Sequence, residues 1–290
     1  MRTIRLVILL ASCIATANAF ANCNFSHPVN FQTAAGDFKQ VRINALAGGL
    51  DIVGTNTDTI AFTGKACADD KDLIDRITLR VDKHNGILEL TAVIPYHDRD
   101  FWSHNATLDI KLTLPANLPI DVKDSSGDMW IKNASVTNIE DSSGDIHVSN
   151  GHASLKIRDS SGGIDVSHMD HDLVIKDSSG DIDVEDIAGS VTIPRDSSGD
   201  INISRVGGGV RIDSDGAGDI VIRHVKGKVA VGSDGSGGIR IDDVASNVSI
   251  GNDGSGSVRV DHVKGDFNLD AKGSGSVRVM DISGKVSTPP

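Results

Sequence analysis

The amino-acid sequence predicts an all-β protein: a single-chain parallel β-solenoid of about nine ~19-residue rungs, led by a less regular β-rich region. Three observations predict it. A turn whose full form is Asp-Ser-Ser-Gly recurs at near-constant spacing, aliphatic residues fall in register between the turns, and aromatic rings make up only 3% of the chain. With so few rings, the core of a 290-residue chain falls to Val, Ile and Leu, which suit a pleated surface.

The glycine that ends each turn marks the period. It stands at Gly127, Gly144, Gly162, Gly180, Gly199, Gly218, Gly237, Gly256 and Gly275, at intervals of 17, 18 and 18 residues and then 19 five times. Two residues after this anchor runs an apolar column from Met129 and Ile146 to Val277, and four after it another from Ile131 and Val148 to Val279. Further on come pairs such as Leu155/Ile157, Val191/Ile193, Val210/Ile212 and Val248/Ile250, and a column seven after the anchor from Met169 and Ile187 to Ile282. A spacing of two places both members of a pair on one face of a strand. Each unit therefore carries two short strands that cannot bury their apolar face alone, whereas stacked units share one continuous core. At about 4.8 Å per rung, nine units make a rod roughly 40 Å long. An antiparallel sandwich would have longer strands and no need of identical turns.

Three residues before the anchor stands an acidic column: Asp124, Asp141, Asp159, Asp177, Asp196, Asp215, Asp234 and Asp253. Carboxylates stacked at rung spacing repel by about 1 kcal/mol per neighbouring pair even in water. The offset expected here is an Asx turn, with each carboxylate accepting backbone N–H groups two or three residues on. Calcium is the alternative, as in the nonapeptide repeats of secreted toxins, but those have half this period and a different apolar placement. The opposite turn, Glu185-Asp186-Ile187-Ala188-Gly189-Ser190, lacks a matching ligand set, so no metal and no cofactor is expected. Gly189, Gly208, Gly227, Gly265 and Gly284 in that second turn are expected to supply positive φ at a corner.

The chain divides into an export signal over 1–21, a β-rich region over 22–122 that caps the solenoid, and regular repeats over 123–290. Arg2 and Arg5 precede an apolar stretch from Leu6 to Ile14, and Ala17-Asn18-Ala19 or Ala19-Phe20-Ala21 offers a cleavage site. The stretch is shorter than the ~20 residues a membrane span needs. Leu10-Ala11-Ser12-Cys13 also resembles a lipoprotein box that would place a lipid anchor on Cys13, although the better cleavage sites follow it. Cleavage leaves Cys23 and Cys67, and an even pair in an oxidising compartment predicts one disulfide. No later stretch suits membrane insertion. The formal charge of −12 becomes −14 once Arg2 and Arg5 are removed, which disfavours nucleic acid and anionic lipid as partners.

Before the array, Gly48-Gly49-Leu50-Asp51-Ile52 has the form of a degenerate rung start. Ile77, Leu79 and Val81 alternate, Asn85-Gly86 is a hairpin turn, and Leu88, Leu90 and Ala92 return. Leu108, Ile110, Leu112 and Leu114 form another alternating strand, stopped by Pro115. Export signal, Gly-Leu-Asp-Ile rung, strand ending in Leu-Pro and Gly-Asp-Ile-x-Val repeats together resemble the bacterial "putative adhesin" β-solenoid domains of unknown function. That resemblance spans nearly the whole mature chain. It implies the solenoid fold and brings no catalytic residues with it.

No Gly-x-Ser-x-Gly elbow or His-Glu-x-x-His motif occurs, and the rungs carry no insertions to wall a cleft, so no enzyme is expected. His147, His152, His168 and His171 fall in adjacent units but in different columns, which speaks against a metal site. Tyr96, Trp102 and Trp130, the chain's only Tyr and both its Trp, cluster where the first region meets the array, with Trp130 on the outward face of the first rung. They form a candidate contact patch, or a loop that seals the first rung. The function expected is that of a non-catalytic, exported cell-envelope scaffold, adhesin-like, held in the periplasm or displayed at the surface. Its expected partner is a surface protein or a glycan. A polysaccharide-active β-helix enzyme and a calcium-stabilised secreted repeat protein are the alternatives.

Overall fold

The computed structural model describes residues 23–95 and 106–289. The described strands form two 13-stranded sheets, and each rung of the array gives one strand to each. Ile182–Ile187 and Val191–Arg195 make one rung, and Ile201–Val206 and Val210–Asp215 the next. Successive strands are parallel and in register: Ile182 lies beside Ile201, Val184 beside Ile203, Ile187 beside Val206, Val191 beside Val210 and Ile193 beside Ile212. All ten are at most 2% exposed, and the inward residues of both sheets form one core. The stacked aliphatic columns predicted by the sequence are therefore the interior of a parallel β-solenoid of about nine turns.

The anchor glycines pack as a column of their own. Their φ values run from 108° to 143°, a region that residues with a Cβ rarely enter. A Cβ at Gly218 would lie 1.9 Å from the Gly199 carbonyl oxygen, so conformation and space both demand glycine.

The second corner corrects the expectation drawn from its glycines. Gly189, Gly208, Gly227, Gly265 and Gly284 do not have positive φ. The left-handed residues stand earlier, six after each anchor: Asn133, Asn150, His168, Asp186, Arg205, His224, Asp243, His262 and Asp281, with φ between 49° and 58°. The chain has already turned when it reaches the glycines, which serve close approach instead: a Cβ at Gly227 would come 2.6 Å from the Gly208 carbonyl oxygen.

Before the array, the chain forms β1 (Phe25–Ala34), β2 (Gln40–Asn44), β3 (Leu50–Thr55), β4 (Thr59–Ala68), α1 (Lys71–Ile74), β5 (Thr78–His84), β6 (Ile87–Val93), β7 (Ala106–Pro115) and β8 (Ile120–Lys123). β3 is a rung, as its sequence suggests: Leu50 pairs with Met129 and Ile52 with Ile131, and Gly48 adopts a φ of 121° like the anchors. Parallel stacking continues to β7, beside β3, and to β6, beside β2, and ends there. β4 runs antiparallel to both β7 and β1 at the end of one sheet, and β5 runs antiparallel to β6 at the end of the other. Asn85 and Gly86, both at positive φ, make the β5–β6 turn. The one-turn helix α1 was not anticipated. Asp70 caps it by accepting from the Asp72 N–H at 2.7 Å, and Leu73 and Ile74 bury its inner face. Cys23 and Cys67 are joined as a disulfide with Cα atoms 5.5 Å apart, tying the start of β1 to the end of β4.

Candidate functional site

The acidic column is the unusual chemistry of this fold. Each Asp donates its backbone N–H to the next rung, as Asp141 does to the Arg158 carbonyl at 2.9 Å and Asp159 to that of Lys176 at 3.0 Å. Its side chain turns inward. The eight carboxylates are between 0% and 7% exposed. The Asx-turn reading is met in part, since N–H groups two residues on, Ser143 at Asp141 and Ser161 at Asp159, pull the carboxyls down beside those of the next residue. At Asp141, Asp159, Asp177 and Asp196, Oδ1 accepts from the very next N–H, that of Ser142, Ser160, Ser178 or Ser197, at 2.6–2.7 Å. Their Oδ2 atoms have no hydrogen-bond partner, and in Asp124, Asp215 and Asp234 neither oxygen has one.

The two ends of the column are neutral and cationic. Three residues before Gly48 stands Ala45, 1% exposed, whose N–H bonds the Lys123 carbonyl as the Asp N–H groups bond theirs. Three before Gly275 stands Lys272, whose Nζ meets Asp253 Oδ2 at 2.5 Å, the Gly256 carbonyl at 2.8 Å and the Ser274 carbonyl at 2.5 Å. Lys272 was missed because it breaks the acidic pattern, although its offset from the anchor identifies it.

Burial away from water disfavours the ionised carboxylates. It pushes Asp124 and Asp234 from the ordinary 3.8 up to about 7, and Asp141, Asp177 and Asp215 up to about 6. Asp159 and Asp196 are raised for the same reason. The corner N–H groups pull the other way at Asp141 and Asp177, whereas Asp234 is driven further up by Asp215 and Asp253 on either side.

A second cluster lies at the left-handed corner, whose column carries alternating charge that the sequence reading did not single out. His168 Nε2 is 3.4 Å from Asp186 Oδ2, Arg205 Nε is 2.5 Å from Asp186 Oδ1, and Arg205 also pairs with Glu185. Asn, Asp and His tolerate left-handed backbone better than most residues, which accounts for this composition. The corner holds a groove of about 610 Å³, open to solvent, with His152, His168, Asp186, Arg205, His224 and Lys226 on its rim. Farther along, Asp242, Asp261 and His262 bring one ligand atom each within 4.8 Å of one another. His262 Nδ1 faces Asp242 at 2.9 Å and Nε2 faces Asp281 at 3.5 Å, so both ring nitrogens serve carboxylates. The hydrogen bond to Asp242, with the nearby Asp261 charge, raises the His262 pKa.

The histidines weighed in the sequence do not converge. His152 spans Asp170 at 2.8 Å and the Asn133 side chain at 2.9 Å, while His147 stacks on Trp130 with ring centroids 5.7 Å apart. Trp130 faces outward on the Met129–Lys132 strand and is 46% exposed. Tyr96 and Trp102 lie outside the described residues, as do Cys13 and residues 1–21, where an export signal is expected. No helix among the described residues is long and apolar enough to cross a membrane.

Among solved structures, the chain is similar to one described as a putative adhesin from Parabacteroides distasonis, at 15% identity and a TM-score of 0.37, over 87% of this chain and 97% of that one. A structure described as a putative lipid binding protein from the same species matches at 16% identity and a TM-score of 0.34, over 92% and 98% of the two chains. One described as a putative adhesin from Bacteroides fragilis matches at 14% identity and a TM-score of 0.33, over 90% and 96%. No curated protein sequence matches the chain. The model of the family described as Toastrack DUF4097 matches residues 75–216, which run from the end of α1 through the first five anchor glycines and into the sixth turn. Over these residues, the chain is similar to the Toastrack DUF4097 family.

Proposed function

We propose that this protein is an exported, non-catalytic scaffold of the cell envelope that presents an adhesin-like contact surface to another protein or a glycan. The observation that carries the reading is the uninterrupted rung. Every turn of the array is spent on two strands and two corners, so among the described residues the array offers flat walls and a groove open to solvent rather than a walled cleft. The Cys23–Cys67 disulfide supports a location outside the reducing cytoplasm. The acidic surface disfavours nucleic acid.

The contact surface we assign to it centres on Trp130 and His147, with Tyr96 and Trp102 as further members. An exposed Trp stacked on a His offers a partner a broad, half-apolar platform at little entropic cost. The test has two parts. Protease added to intact cells is expected to degrade the protein, and Trp130→Ala is expected to lower binding of the purified protein to cell-surface glycans or extracts by roughly tenfold. The same variant should change stability by no more than about 0.5 kcal/mol. Protection from protease in intact cells but not in lysates refutes display at the surface, and robust glycan turnover by the purified protein refutes the non-catalytic reading.

A further inference from the structure

The corner turn changes along the array, and beyond the change the acidic column lacks the Oδ1 hydrogen bond that it keeps from Asp141 to Asp196; Asp124, first in the column, lacks it as well. Through Asp196 the residue after the Asp is a serine, and at Asp141, Asp159, Asp177 and Asp196 its N–H holds Oδ1. From Asp215 onward it is a glycine: Gly216, Gly235, Gly254 and, after Lys272, Gly273. At Asp215 and Asp234 neither carboxylate oxygen has a partner, although the residues are 3% and 1% exposed. Buried polar groups left unsatisfied call for an explanation. The protein supplies one itself a single rung farther on, where the Lys272 ammonium sits among Asp253 Oδ2 and the carbonyl oxygens of Gly256 and Ser274. That place in the corner accepts a cation.

We propose that the corner between Asp215 and Asp234 is a binding site for one calcium ion. Translating the Lys272 environment back two rungs brings the Gly218 and Ser236 carbonyls to this position, beside the two carboxylates. Charge selects the number of ions. Asp253 is met by Lys272, which leaves Asp215 and Asp234 as the uncompensated carboxylates of this half of the column for one divalent cation, with Asp124 at its far end. The all-oxygen donor set suits a hard cation and not zinc or copper. Calcium is favoured among hard cations because it takes six to eight oxygens in flexible geometry, whereas magnesium demands a near-ideal octahedron and keeps several of its waters.

The experiment is calcium titration of the full chain, washed with chelator, at pH 8, followed by calorimetry and by thermal melting. The expected result is saturable uptake of about one calcium per chain and a rise in Tm, with a smaller rise from magnesium at matched ionic strength. Asp234→Asn and Asp215→Asn each relieve repulsion in the column and so keep the fold. Each is expected to weaken calcium binding by roughly tenfold or more, whereas Asp159→Asn leaves it unchanged. No uptake by the wild-type chain overturns the proposal and leaves protons as the neutralising charge. Uptake that survives both Asn substitutions overturns it equally, by placing the ion elsewhere.

Discussion

In the presence of chelator, the protein is expected to be more stable at pH 5 than at pH 8, the reverse of proteins whose carboxylates are stabilised by folding. Chelator keeps the column free of divalent ions, so protons alone set its charge. In the unfolded chain these carboxyls ionise near 3.8, whereas in the folded chain Asp141, Asp177 and Asp215 hold their protons to about 6 and Asp124 and Asp234 to about 7. Between pH 4 and 7 the folded state therefore binds more protons than the unfolded state, and stability falls as pH rises. Each such group contributes a slope of about 1.4 kcal/mol per pH unit inside its window. His262 acts in the same sense, since its raised pKa adds stability that is lost as pH climbs above its ordinary 6.5. The charged groups facing the column are Asp145, Asp181 and Asp200, which add repulsion, and Lys272, which relieves it at Asp253 alone. A column contribution on the order of 5 kcal/mol lowers Tm by roughly 10–20 °C between pH 5 and 8. A Tm that rises or stays level over that interval contradicts the burial of the column.

Gly218→Ala is expected to be severely damaging, as is the same change at the other anchor glycines. The new Cβ would stand 1.9 Å from the Gly199 carbonyl oxygen, at a φ of 137° that alanine adopts only under strain. Neither neighbour can yield, because Gly199 and Gly237 are held in the same column by the same contact. Relief requires adjacent rungs to part, which breaks the Gly218 N–H bond to Ser236 and disturbs the aliphatic columns on both sides. The loss should exceed about 4 kcal/mol, seen as a Tm lower by roughly 10 °C or more, or as failure to accumulate soluble protein. Gly36→Ala is the matched control. A Cβ there meets nothing within 4 Å, and its melting curve is expected to overlay that of the wild type.

What the sequence makes legible follows from what has a period. Inward positions recur every second residue within a strand and every rung along the rod, so Ile182, Val184, Ile201 and Ile203 announce both their strand and their face. The rung at Leu50 and Ile52 is legible for the same reason. Corners lack such a period. Nothing in Asp-Ser-Ser-Gly tells whether the carboxylate points out to water or in toward its neighbours, and here it points in. The left-handed column was hidden because glycines stand close by and draw the eye, although Asn133, Asn150, Asp186 and Asp243 at one fixed offset are themselves a signal for that conformation. Lys272 shows its role only once the column is known to be buried and in need of a positive charge.

The parallel, in-register stack beneath all of this is tested most directly by a cysteine pair placed across two rungs. Asp183 and Asn202 are register partners on the outer wall, and parallel stacking sets their Cα atoms about 4.8 Å apart, within disulfide reach. Asp183→Cys with Asn202→Cys is expected to form the new disulfide in most molecules under mild oxidation, read by mass after proteolysis with the native bridge intact. Asp183→Cys with Ser204→Cys, about 8 Å apart in this register, should not close. Failure of the first pair, or equal closure of the second, contradicts the stacked solenoid and the buried column that depends on it.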